Sequence, residues 1–174
     1  MSTLYQTTRH IDYMSELFQA FVAKFPPVSM PITLGEDSHH VFGTENEPLT
    51  DKLIHAFILP LEDADPDEFT EYVPCFAIDN TETFIALVWW KAALMNYEYV
   101  LSTYTLKGEI ISREVIARTA VYDDKVHRSV AMINEEYEIT IAEGDSPDGD
   151  QYFDPTSSRT KFMEILVNGV IVTG

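Results

Sequence analysis

A single cysteine, Cys75, stands in this 174-residue chain, so no intramolecular disulfide can form and nothing calls for an oxidising compartment. Glycine is scarce, seven in all, and neither a G-x-G-x-x-G motif nor a P-loop is present, which removes the usual backbone cradle for a phosphate. No G-x-S-x-G elbow marks a nucleophilic serine. Cys75 lies in the apolar run Val73-Pro74-Cys75-Phe76-Ala77-Ile78, a setting that raises a thiol pKa, so it reads as an inert core cysteine. Long hydrophobic runs are missing as well. The most apolar stretch, Phe84–Trp90, falls far short of the roughly 20 residues of a spanning helix, and Met1–Arg9 has no signal-peptide core. The expectation is a soluble cytoplasmic protein with no membrane partner.

Positive charge is the last shortage. Eleven basic residues face 29 acidic ones, and the formal net charge of −18 repels nucleic acid and anionic lipid. Thirteen acids and one base, Lys52, lie between Glu36 and Glu82, whereas seven of the eleven bases follow Tyr97. Among the latter, Arg113, Arg118, Lys125 and Arg128 are expected to serve as cross-strand partners of acids.

What is present is periodicity. Ile11, Met14, Leu17, Phe18, Phe21, Val22 and Phe25 recur at helical spacing, which predicts a helix over about 9–25 with Thr8 as its cap and Pro26-Pro27 as its stop. Leu49, Leu53, Ile54 and Phe57 predict a second helix over about 50–59, ending before Pro60. Asp65-Pro66-Asp67-Glu68 carries a helix-start pattern and predicts a short third helix over 66–72. Val28–Glu47 shows no clear period and reads as irregular, with one short strand at Met30–Leu34.

From Cys75 the period becomes two. Strand-like runs follow at Thr83–Lys91, Tyr97–Leu106, Glu109–Val121, Lys125–Ile133, Tyr137–Glu143 and Thr160–Val172, separated by turn signals that include Lys107-Gly108, Asp123-Asp124 and Asn168-Gly169. Runs this close leave no room for crossover helices. The fold class is therefore α+β: N-terminal helices packed on one face of a C-terminal antiparallel meander of six to eight strands. A chain of this length fits one domain, residues 1–74 mainly helical and irregular and residues 75–174 the sheet. The short last strand at a sheet edge favours a monomer.

His39-His40 follow Glu36-Asp37, but with His55 and Cys75 they match no compact metal spacing, and the loop from Asp145 to Asp154 lacks the ligand alternation of a calcium loop. No metal, no cofactor and no catalytic residue is assigned. Acids within strand patterns, such as Glu98, Glu114, Glu138 and Glu164, carry catalytic interest only where one is forced onto a buried face. Trp89 and Trp90 must point to opposite faces of their strand, and an aromatic surface formed with Tyr97, Tyr99 and Tyr104 is a candidate binding site. The acidic set Glu62, Asp63, Asp65, Asp67, Glu68 and Glu71 is the other, facing a basic protein partner. The leading functional expectation is a noncatalytic acidic interaction protein, such as an inhibitor, immunity protein or adaptor. The alternative is a small-molecule binder or enzyme with an aromatic-lined pocket between sheet and helices. The Gly144–Ser158 loop is a further place where function would sit.

Overall fold

The computed structural model describes residues 16–147 and 156–174. Among them, ten strands form one sheet: β1 (Pro27–Val28), β2 (Ile32–Leu34), β3 (Glu71–Ile78), β4 (Phe84–Ala93), β5 (Asn96–Thr105), β6 (Ile110–Tyr122), β7 (Lys125–Ile133), β8 (Glu138–Pro147), β9 (Arg159–Ile165) and β10 (Ile171–Thr173). From β3 to β10 each strand pairs antiparallel with the next, which is the meander that the turn signals predict. The N-terminal strands join it from outside, β1 parallel to β3 and β2 antiparallel to β7. The helices are α1, whose described part covers residues 16–22, the short α2 (His39–Glu45) and α3 (Asp51–Phe57), and a 3-10 turn at Leu59–Leu61. Thr50 caps α3, its hydroxyl accepting from the Leu53 amide.

Several expectations are corrected. The strand count exceeds six to eight because β1 and β3 add to the predicted runs, while the short strand expected at Met30–Leu34 is present as β2. No helix forms over 66–72. Instead the Asp67 carboxylate accepts from the Phe69 amide and the Thr70 hydroxyl, closing a turn from which β3 departs at Glu71. The first helix ends at residue 22, before the two prolines. A helix, α2, occupies part of the stretch read as irregular, and Gly144–Pro147 belong to β8 rather than to a loop. Residues 9–15 of the predicted first helix, its cap Thr8, and positions 148–155 of the predicted loop lie outside the described residues.

Three of the hairpins share one turn. In Thr105–Glu109 and Leu166–Val170 three residues bridge the strands, with Gly108 and Gly169 at φ +92° and +88° closing each turn, so neither is the two-residue turn that Asn168-Gly169 predicts. Tyr137, at φ 64°, fills the same position between Asn134 and Glu138. Gly108 has a second constraint: a β-carbon there would sit 2.7 Å from the ring of Phe18. Gly108→Ala is expected to cost about 2 kcal/mol, the left-handed penalty plus a displaced Phe18, read as a lower urea midpoint.

Two apolar layers result. On the outer face of β3–β5, Phe18, Phe21 and Phe25 pack with Leu53 and Phe57 over Leu87, Trp89, Val100 and Tyr104. On the other face, Phe84, Ala86, Val88, Tyr99 and Leu101 meet Ala131, Ile133, Ile139, Ile141, Ile165 and Ile171, so the late strands roll back over the early ones. The roll is latched where the Ile171 amide donates to Ser112 Oγ and the Thr103 hydroxyl donates to the Gly169 carbonyl. To roll, the sheet must split. β6 pairs with β7 only over Thr119–Tyr122, and at the parting the Ser129 hydroxyl accepts from the Arg118 amide at 2.6 Å in place of a backbone carbonyl. The edge of β7 freed in this way takes β2, Ile32 to Leu34 opposite Ile133 to Ala131.

Candidate functional site

The split leaves a cavity of about 320 Å³ between β5, β6 and the segment that follows β2. Strand parity fills one wall: Trp90 is opposite Tyr99 and Ala92 is opposite Tyr97, which brings Trp90, Tyr97 and Tyr99 onto one face. The segment Gly35–His40 forms the other wall. It is held in place by the Tyr99 hydroxyl, which donates to the Gly35 carbonyl at 3.1 Å, by Arg128, whose Nε donates to Glu36 at 3.1 Å, and by the Gly35 amide donating to Ser38 Oγ. From that wall His39 lies flat on Trp90, ring centroids 4.0 Å apart and planes 4° from parallel. Tyr97 is also nearly parallel to Trp90, at 9° and 5.8 Å. Three rings therefore share one orientation at the cavity.

The polar groups are mostly committed. Arg118 donates to Glu98 at 2.7 Å across the β5–β6 ladder. Burial works against ionisation of Glu98, but hydrogen bonds from Asn96 and Arg118 and the charge of Lys91 outweigh it and hold the carboxyl below its ordinary range. His39 Nδ1 is 2.8 Å from the Glu36 carbonyl, which can only accept, so Nδ1 carries the proton and Nε2 is free to accept. Burial, followed by the neighbouring His40, lowers the pKa of His39 despite that hydrogen bond, and the ring is a neutral imidazole at neutral pH. Asp37 is different. Its carboxylate is 92% exposed, and its ion-pair contact among the described residues is His40 at 3.8 Å.

The chain matches no family model, no curated protein and no solved structure. Its site is read from its own geometry.

That geometry divides the predicted aromatic surface. Trp90, Tyr97 and Tyr99 come together, whereas Trp89 and Tyr104 do not join them: both are buried on the helix side, Trp89 against Phe21 and Tyr104 against Phe18, with the Tyr104 hydroxyl donating to the Phe57 carbonyl. Alternation along β4 and β5 is the reason. Nothing local in the sequence marks His39, Arg118 and Ser129 as members of one cavity, because the contacts that bring them together join residues far apart in the chain. His55 is elsewhere, its Nδ1 at the Asp51 carbonyl on α3, and among the described residues no group of three His, Cys, Asp or Glu is set to hold a metal ion. Cys75 is buried, and burial pushes its thiol pKa up.

The acidic set also divides. Asp63, Asp65, Asp67, Glu68 and Glu71 are exposed. Glu62 is not. Its side chain is 4% exposed, and one oxygen meets Lys91 while the other meets Arg113 at 2.9 Å. A third buried carboxylate after Glu98 and Glu62, Glu143 on β8, faces the groove between β6 and β8–β9, with Arg159 at 2.7 Å, Lys161 at 3.0 Å and His127 at 3.4 Å, and His127 reaches Asp145 at 2.7 Å on its other side. Burial opposes its charge, yet Lys161, Arg159 and His127 prevail and lower its pKa. The signal for Glu143 was in the sequence, since it shares parity with Ile139 and Ile141.

Proposed function

We propose that the protein binds a small molecule in the cavity beside Trp90, as a noncatalytic receptor or carrier. The observation that carries this is the parallel set His39, Trp90 and Tyr97 at the edge of a cavity large enough for a ligand of modest size. Binding is favoured over turnover because the strongest polar groups there are already used: Arg118 by Glu98, Glu36 by Arg128, and Ser129 by the backbone of Arg118. A thermal-shift screen of aromatic metabolites tests it. A ligand at about 100 times its Kd adds about 2.7 kcal/mol, an upward Tm shift of about 5–10 °C for a chain of this size. The shift should vanish in Trp90→Ala. A screen without hits, or hits indifferent to Trp90, would remove the reading.

A second reading, the docking of a basic protein on the acidic run, is favoured by one observation. Phe69 is 77% exposed in the middle of Asp65–Glu71, and the β3–β4 register leaves it at the same end of the sheet as exposed Leu94 and Met95. An aromatic anchor rimmed by carboxylates suits a lysine-rich surface with an apolar residue at its centre. Titration with a lysine- and leucine-rich peptide should show binding that weakens with salt and is lost in Phe69→Ala. Binding that ignores both changes argues against this surface.

A further inference from the structure

Resting on the reading of the cavity as a small-molecule site, we propose that its ligand is a flat organic cation: an aromatic ring carrying a delocalised positive charge, seated on the Trp90 face that His39 now covers. Flatness follows from ring orientation. His39, Trp90 and Tyr97 lie within 9° of parallel to Trp90, so they accept another ring plane, whereas a compact ammonium head is enclosed by rings set at angles to one another. His39 is a replaceable cover. It belongs to neither apolar layer, and its ring can turn off the indole while Phe42 keeps α2 against Phe76.

The charge follows from a tally of every ionisable group at the cavity. Arg118 is neutralised by Glu98 and Arg128 by Glu36, His39 is a neutral ring and His40 is exposed at the rim, which leaves Asp37, among the described residues, as the carboxylate here without a strong partner. Indole and phenol faces carry the negative end of their quadrupoles, and a chain of net charge −18 draws cations toward the site while it repels anions. All three contributions have the same sign.

Three probes of one shape and different charge test this: N-methylquinolinium, quinoline and a quinoline carboxylate, titrated at neutral pH by ligand-observed NMR. The cation should bind about 10-fold more tightly than quinoline, the anion weakest, and Asp37→Asn should narrow the gap. His39→Ala, a change at a half-buried position, should tighten the cation by uncovering the indole, and Trp90→Ala should abolish all binding. Equal affinity for the cation and quinoline, or weaker cation binding in His39→Ala, would overturn the proposal while leaving the cavity a ligand site. Failure of all three probes would also overturn it, and the screen described above then decides separately whether the cavity binds anything.

Discussion

Replacing Trp89 with alanine is expected to remove about 3–5 kcal/mol of folding stability, whereas Trp90→Ala, one residue along, removes about 1–2 kcal/mol and takes ligand binding with it. Trp89 is 0% exposed and meets Phe21 edge-on at 6.5 Å, inside the layer that holds Phe18, Phe57 and Tyr104. Its truncation leaves an indole-sized void among side chains already fixed by one another, and such voids collapse only in part. Trp90 is half-buried, and one of its faces is covered by a single imidazole. Urea denaturation of both variants checks the contrast: a large fall in midpoint at unchanged slope for Trp89→Ala, a small one for Trp90→Ala. With total stabilities of about 5–15 kcal/mol in domains generally, the first variant sits near the limit of folding. Equal losses at the two positions would contradict the assignment of their faces.

Glu62→Ala is expected to cost about 3 kcal/mol, because it leaves Lys91 and Arg113 together at the edge of the helix layer with only Glu98, already held by Arg118, opposite Lys91. Both bases keep some exposure, which holds the loss to the low end of the range for a buried pair. A companion variant separates charge from packing. Changing Glu62, Lys91 and Arg113 together to methionine removes the desolvated charges along with their attraction, and it should recover most of the stability lost in Glu62→Ala. If the triple variant is less stable than the single one, the ion pairs contribute more than their desolvation costs. Either way Glu62 acts as an anchor: it ties the start of the acidic run to β4 and β6 while Asp63, Asp65, Asp67, Glu68 and Glu71 remain in solvent.

The strands of the meander were legible because each obeys a local rule, alternation between turn formers, and Lys125–Ile133 begins and ends where that rule places it. β3 was not, because Pro74 argues against an inner strand. The fold absorbs it with an irregularity in the ladder to β4 between Pro74 and Phe76. The false helix at 66–72 came from a motif with two uses: the aspartate that can cap a helix closes a single turn here, and the chain then extends. At the site, parity sets Trp89 and Trp90 on opposite faces and Tyr97 with Tyr99, leaving the β4–β5 register to decide which tryptophan joins the tyrosines. It could not reveal that His39 lies on Trp90, since that contact depends on where β2 joins β7, a pairing with no local signature in the sequence.

That pairing also bears on how the chain is made. β2 must wait for a strand synthesised about a hundred residues later, and β1 for one about fifty later, while each hairpin from β3 onward can zip from its own turn. On a ribosome, the phenylalanines of α1 emerge before β4 and β5 and find the surface they cover only once those strands have followed. The wall that carries His39 is therefore among the last pieces to dock, and the cavity exists only after the ends of the chain's history have met.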